Sequence, residues 1–194
     1  MVNRVHIAIF ASGGGSNAEQ LIQHFSTVSH SSIDLVVSNN SEAYVLERAK
    51  KHQIPTYVHS KEDAENGQLL ELLKEKKIDF IVLAGYLKKI GDDLLNSFSN
   101  KIVNIHPALL PKYGGKGMYG MNVHKAVVAA KETESGPTIH FVNENYDEGA
   151  IIEQHKCDIL PSDSAEDVQK KVLKLEHAYF AKSVERIIKE SYGI

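Results

Sequence analysis

Asn104 and His106 stand two residues apart in KIVNIHPALLPKYGG, at the end of an apolar, β-branched run. On a strand that spacing sends both side chains to the same face. An amide and an imidazole side by side among Ile and Val cost desolvation free energy unless each finds a partner, and the packing of the strand does not call for them. Together they suit a carbonyl carbon under attack: the amide donates to the developing oxyanion and the imidazole moves a proton, the equipment of acyl transfer. Asp147, in FVNENYDEGAI, is the carboxylate expected to meet them. A carboxylate beside an imidazole favours the charged form and raises its pKa. The residue types also fit plainer roles, a polar pair anchoring the Pro107 turn and an Asp-Glu-Gly bend, and spacing leaves these open. No side chain is placed as a nucleophile, since Cys157 falls inside a strand-like run and Ser12 in a glycine turn. Direct attack of one substrate on another is therefore expected, without a covalent enzyme intermediate.

A second chemical feature is FASGGGSNAEQL, where Gly13, Gly14 and Gly15 follow an apolar run and Ser16 and Asn17 are placed to cap a helix. Backbone N–H groups without Cβ atoms in the way, at the positive end of a helix dipole, make a cradle for an anion. Ser12 to Asn17 are thus candidates for holding a phosphate, the alternative being a tight capped turn. The segment lacks the Gly-Lys-Ser/Thr of a P-loop, and Ala18 stands where a dinucleotide fingerprint needs its third glycine. Asp34 is at the start of the second strand rather than its end, so a nicotinamide cofactor is poorly supported. A monophosphate on a small substrate suits the turn better.

These sites need positioning elements. Short runs such as VHIAIF, IDLVVS, PTYVH and IDFIVLAG alternate with amphipathic stretches, SNAEQLIQHFS, EAYVLERAKKH and DAENGQLLELLKEKK, in a repeated β-α-β order. Runs without polar alternation fit parallel strands buried on both faces. KIVNIH is a fifth strand, 108–122 a long Gly- and Pro-rich loop, VHKAVVAAKE a short helix, PTIHFVNE and AIIEQHKCDI a hairpin-type pair, and Ala165 to about Glu190 a closing helix. The expected fold is α/β: a Rossmann-like open mixed sheet, mostly parallel with an antiparallel C-terminal pair, and helices on both faces. Residues 1–194 are expected to form a single domain, with a phosphate-binding part at about 1–100 and a catalytic part at about 101–194.

The formal charge of −3 gives no polyanion-binding surface, so no nucleic-acid partner is expected. The single cysteine rules out an internal disulfide. MVNRVHIAIF enters a strand-like run without a leader pattern, and nowhere do about 18 apolar residues run together, so a cytoplasmic location away from membranes is expected. Ten histidines raise metal chemistry, with His106, His140, His155 and His177 able to converge. Without an H-E-x-x-H or paired cysteines, no metal is expected.

ASGGGSN, VVSNNSEAYVLERAKKHQIPT, IDFIVLAGYLKKIG, KIVNIHPALLPKYGG, GPTIHFVNENYDEGAII and KLEHAYF, in that order from about residue 4 to residue 185, resemble the phosphoribosylglycinamide formyltransferase family, folate-dependent enzymes of purine synthesis. The resemblance implies two small-molecule substrates, 10-formyltetrahydrofolate as co-substrate and glycinamide ribonucleotide as acceptor, in a monomer or homodimer. The ribonucleotide phosphate would lie on Ser12 to Asn17, and Gly117, Met118 and Glu176 would touch the same substrate. Asn104 would hydrogen-bond the formyl oxygen. His106, as imidazolium, would stabilise the negative charge and donate a proton, with Asp147 raising its pKa and His140 in support behind them. Folate would be held by Lys61, by Tyr86, Leu87, Lys88, Lys89 and Ile90, and by Asn143, Glu144, Asn145 and Tyr146, Lys88 standing near where the family often has an Arg. A hydrolase, or a formyltransferase for another amine, would share Asn104, His106 and Asp147, and the glycine turn is what favours a phosphorylated acceptor. A nucleotide-binding regulatory module would have no use for the intact triad.

Overall fold

The computed structural model describes residues 4–194; Met1, Val2 and Asn3, part of the N-terminal segment read above for a leader, lie outside the described residues. A seven-stranded sheet runs in the order β3-β2-β1-β4-β5-β7-β8. Its members are β1 (Val5–Phe10), β2 (Ser31–Ser38), β3 (Thr56–Val58), β4 (Phe80–Leu83), β5 (Ile102–His106), β7 (Thr138–Phe141) and β8 (Ile151–Gln154). The first five pair in parallel, while β7 is antiparallel to both β5 and β8, as the mixed-sheet reading requires.

Strand alternation splits the core in two. Val5, Ile7 and Ile9 point to one face, where they meet α1 (Ser16–Phe25), α2 (Tyr44–Lys51) and α7 (Ala165–Tyr192). Ala8 and Phe10 point to the other, against α4 (Gln68–Glu75) and α5 (Asp92–Ser97). Strands buried on both sides have no solvent face to keep polar, which is why their sequences lack alternation. In α7 the positions 168, 172, 176, 180, 184 and 188 form a buried row, and five of the six are Val, Phe or Ile. The sixth is Glu176. α6 (Met121–Ala129) packs beside α7 and, through Val123 and Val127, closes a smaller cluster with Ala108, Val168 and Val172.

Several elements differ from the sequence reading. The stretch 63–77 is two helices, α3 (Lys61–Glu65) and α4, because Gly67 takes a left-handed backbone (φ 85°) that stops one and starts the next, while a Ser60–Asp63 capping box fixes the first. The run 150–159 divides into β8 and β9 (Cys157–Asp158), and β9 leaves the main sheet to pair with β6 (Glu134–Ser135). α5 was not anticipated; its six residues contribute one buried side chain, Leu94, too weak a periodicity to read. The long loop after β5 is tied down by Thr138, whose buried hydroxyl donates to the Ala108 carbonyl and accepts from the Leu110 N–H. Among the described residues no helix is long and apolar enough to cross a membrane.

Candidate active site

At the C-terminal end of β1 the chain turns through its glycines into α1. Gly15 is the helix N-cap in a left-handed conformation (φ 68°), and a Cβ there would come within 2.5 Å of Val45 Cγ2, so both backbone and packing require glycine. The expected capping by Ser16 and Asn17 does not occur: both lie inside α1, and the N-cap makes no side-chain bond. The carbonyls of the turn are tied towards α2, Gly13 accepting from Val45 N–H and Gly14 from the Arg48 guanidinium at 2.8 Å. Peptide geometry then aims the neighbouring amides away from α2, and those of Ser16 and Asn17 are first-turn donors that a helix leaves without internal partners. Ser12 braces the turn from behind, donating to Asn39 Oδ1 and accepting from Leu87 N–H.

At the tip of β5 the second group of side chains converges. Asn104 Nδ2 donates to His140 Nε2 at 3.1 Å and lies 3.5 Å from Asp147 Oδ1. His106 Nε2–H donates to the Tyr113 carbonyl at 2.8 Å, which leaves Nδ1 facing Asp147 Oδ2 at 3.4 Å. His140 Nδ1–H donates to the Phe141 carbonyl, fixing its tautomer, and its Nε2 is 3.6 Å from Asp147 Oδ1. Asp147 arrives on the β7–β8 connection with φ 58° and also accepts from Gly115 N–H at 2.9 Å. The bend that delivers it depends on Gly149, where a Cβ would sit 1.7 Å from the Phe141 carbonyl oxygen.

The electrostatics correct one expectation. Asp147 does draw the His106 pKa upwards, but burial of the ring, only 4% exposed, outweighs it and holds the imidazole below its ordinary value. His106 is therefore neutral at pH 7 in the unliganded protein rather than a standing imidazolium. Burial acts to raise the Asp147 carboxyl, and the His140 and His106 rings with the Gly115 N–H overcome it, keeping the group below the usual carboxylate range. Glu176, in the buried row of α7, is pushed up to about 7 by burial, against a 2.6 Å hydrogen bond from Asn17 Nδ2.

A cleft of about 420 Å³ joins the two ends. Asn104, His106 and Asp147 line it together with Ser16, Asn17, Tyr86, Leu87, Gly117, Met118, Tyr146 and Glu176, whereas Ser12, Gly13, Gly14 and Gly15 do not line it, Gly13 and Gly14 being exposed on the surface. A smaller cavity of about 60 Å³ opens on the other side of Asn104 and Asp147, lined by Lys88, Lys89, Ile90, His140, Asn143 and Asn145 among others. Tyr86 belongs to both walls, and its hydroxyl, kept protonated by burial, donates to His59 Nε2 at 2.8 Å. Two expected folate contacts line none of these spaces: Glu144 stays on the surface, and Lys61 is solvent-exposed at the start of α3, paired with Glu65. Gly85, Lys116, His124, Gln169 and Leu173 line the cleft without having been singled out. Gln169, Leu173 and Glu176 share one face of α7 at helical spacing, a signal present in the sequence; His124 gave none beyond a polar residue among the valines of a short helix. The four histidines do not converge, since His155 stacks on Tyr179 at 3.7 Å, and among the described residues no group of three or more His, Cys, Asp or Glu could hold a metal ion.

Comparisons with known proteins give the family. The formyl transferase family profile matches residues 5–184. The chain is 42% identical to the chloroplastic phosphoribosylglycinamide formyltransferase of Vigna unguiculata over 97% of its own length and 62% of that protein's, so it spans less than two thirds of that relative. It is 34% identical to the phosphoribosylglycinamide formyltransferase of Bacillus subtilis, covering 93% of each chain. Among solved structures, that of the Anaplasma phagocytophilum phosphoribosylglycinamide formyltransferase superposes with a TM-score of 0.87 at 32% identity, covering 97% of this chain and 89% of the other. A profile match across most of the chain, with the fold to go with it, means that the chain belongs to the formyl transferase family.

Proposed function

We propose that the protein transfers a formyl group from 10-formyltetrahydrofolate to the amine of 5'-phosphoribosylglycinamide, the step its relatives are named for, in the synthesis of purines. One observation carries the reading: an amide, an imidazole and a carboxylate meet at the tip of β5 in a cleft whose far end is the amide-rich start of α1. The ribonucleotide phosphate takes the amides of the glycine turn, and the acceptor amine is directed to Asn104 and His106. The pterin takes the side of the smaller cavity, between residues 86–90 and 143–146.

The amine adds to the formyl carbon, and the carbonyl electron pair moves to oxygen. The Asn104 Nδ2 hydrogen, held only 3.5 Å from Asp147, is free to turn towards that oxygen. The attacking nitrogen must lose a proton and the departing N10 must gain one. His106 suits both steps: Tyr113 fixes Nε2–H, so the proton exchanges at Nδ1, where neutral nitrogen accepts it and Asp147 stabilises the imidazolium that forms. Collapse of the oxyanion then breaks the C–N10 bond as Nδ1–H protonates N10, and no covalent enzyme intermediate is needed. Neither a metal nor nucleic acid enters this scheme, and a cytoplasmic monomer or homodimer goes with it.

The test is a steady-state assay with 10-formyl-5,8-dideazafolate and the ribonucleotide. Release of deformylated folate that requires both substrates, and that collapses in Asp147→Asn, is the expected result. Binding of either ligand without turnover would favour a regulatory module, and turnover with a non-phosphorylated amine would favour a sister transferase.

A further inference from the structure

His124 lies on α6, near its N-terminal end, and is 3% exposed as a residue while lining the main cleft. Its Nδ1 is buried and has no hydrogen-bond partner among the described residues. A buried polar atom left unpaired costs roughly 1–3 kcal/mol, and in a ring that lines the cleft a ligand group can recover that cost by drawing the ring towards it. Packing does not account for the ring either. Val123 and Val127 already close the apolar contact of α6 with Ala108, Val168 and Val172.

Where the ring sits selects its partner. His124 is close enough to His106 for the two charged forms to repel, and burial lowers its pKa first and this neighbour second, so it is held neutral. A neutral imidazole offers one N–H and one lone pair, the complement of an amide, which offers a carbonyl acceptor and an N–H donor. If the acceptor's amine reacts at His106 and its phosphate lies at Ser16 and Asn17, the uncharged group beside the reacting nitrogen is the glycinamide amide, joined to it through a single carbon.

We propose that His124 is a substrate-contacting residue whose ring hydrogen-bonds the glycinamide amide of the ribonucleotide. The inference rests on the functional reading above, and the experiment separates the two. Calorimetric titration compares the ribonucleotide with ribose 5-phosphate, which lacks the amide, on wild type, His124→Leu and His124→Asn. A lost neutral hydrogen bond predicts about five- to tenfold weaker ribonucleotide binding by the Leu variant, unchanged ribose 5-phosphate binding, and partial recovery in the Asn variant. Equal ribonucleotide affinity in wild type and Leu variant, or an equal loss for both probes, overturns the assignment. In wild type itself, the ¹⁵N resonances of the His124 ring should move with the ribonucleotide and not with ribose 5-phosphate; identical shifts with both also overturn it, whether or not the Leu variant folds. Wild type that binds a folate analogue but no ribonucleotide would remove the functional reading as well.

Discussion

The two ends of the cleft are built from different materials. At the start of α1 the groups proposed to face the ligand are backbone amides, supplied by one continuous stretch of chain whose Gly13 and Gly14 carbonyls are held from α2. At the tip of β5 they are side chains, drawn from three segments that lie up to 43 residues apart and held 3.1–3.6 Å from one another. A backbone site carries fixed partial charges, so pH does not alter it and steric bulk does. A side-chain site has titratable members whose states depend on burial and neighbours, so changing one atom or one pH unit changes what it can do. On the proposed function the protein thus has a binding end defined by shape and a reacting end defined by proton positions.

The sharpest way to break that contrast is His106→Ala. Turnover is expected to fall by about a hundredfold to ten-thousandfold, the range of a general acid-base group, while calorimetric affinity for the ribonucleotide stays near wild type. A variant that loses affinity as much as turnover would show that the β5 tip is a binding end too.

Glu176 is a titratable group lining the cleft beside Asn17, and its burial makes a stability prediction. Its folded pKa, about 7, stands above the ordinary carboxyl value of 4.5. Below about pH 4.5 the carboxyl is protonated folded and unfolded, and this group costs nothing. As pH rises from there to 7 the unfolded chain releases its proton first, so stability is lost, by about 3 kcal/mol at most. Glu176→Gln should therefore melt increasingly above wild type as pH goes from 5 to 8; parallel melting curves over that range would mean that the carboxyl ionises as freely folded as unfolded.

Smaller effects separate two neighbouring glycines. Gly15→Ala forces a Cβ against Val45 at a positive φ, for a loss of about 1–3 kcal/mol in chemical denaturation. A Cβ at Gly14 meets nothing within 4 Å, so Gly14→Val should change stability by no more than about 0.5 kcal/mol and raise the ribonucleotide KM severalfold. If Gly14→Val leaves that KM untouched, the phosphate is elsewhere.

The shape-defined end was the more legible of the two. A strand, three glycines and a helix start are local, and the geometry they demand follows from residues in contact along the chain. Its caps were misread because Ser and Asn after a glycine turn look like N-caps, yet Gly15 takes that place and Asn17 turns to Glu176 on α7, 159 residues away. The sheet was legible for a similar reason: strands buried on both faces and a row of apolar residues on α7 follow from periodicity alone. The break at Gly67 and the departure of β9 to pair with β6 depend on one left-handed residue and one distant partner, neither of which leaves a periodic trace.

The sequence by itself determined which groups are available: an amide and an imidazole on one strand face, a carboxylate in a turn, three glycines before a helix. Their meeting and their charge state were decided only when β7 paired antiparallel with β5 and the bend before Gly149 brought Asp147 to His106. Residue type and spacing fix the direction of a side chain along its own element, because that is local stereochemistry. The pKa of His106 depends on how much water the rest of the fold excludes, and here that exclusion outweighs the carboxylate placed beside it.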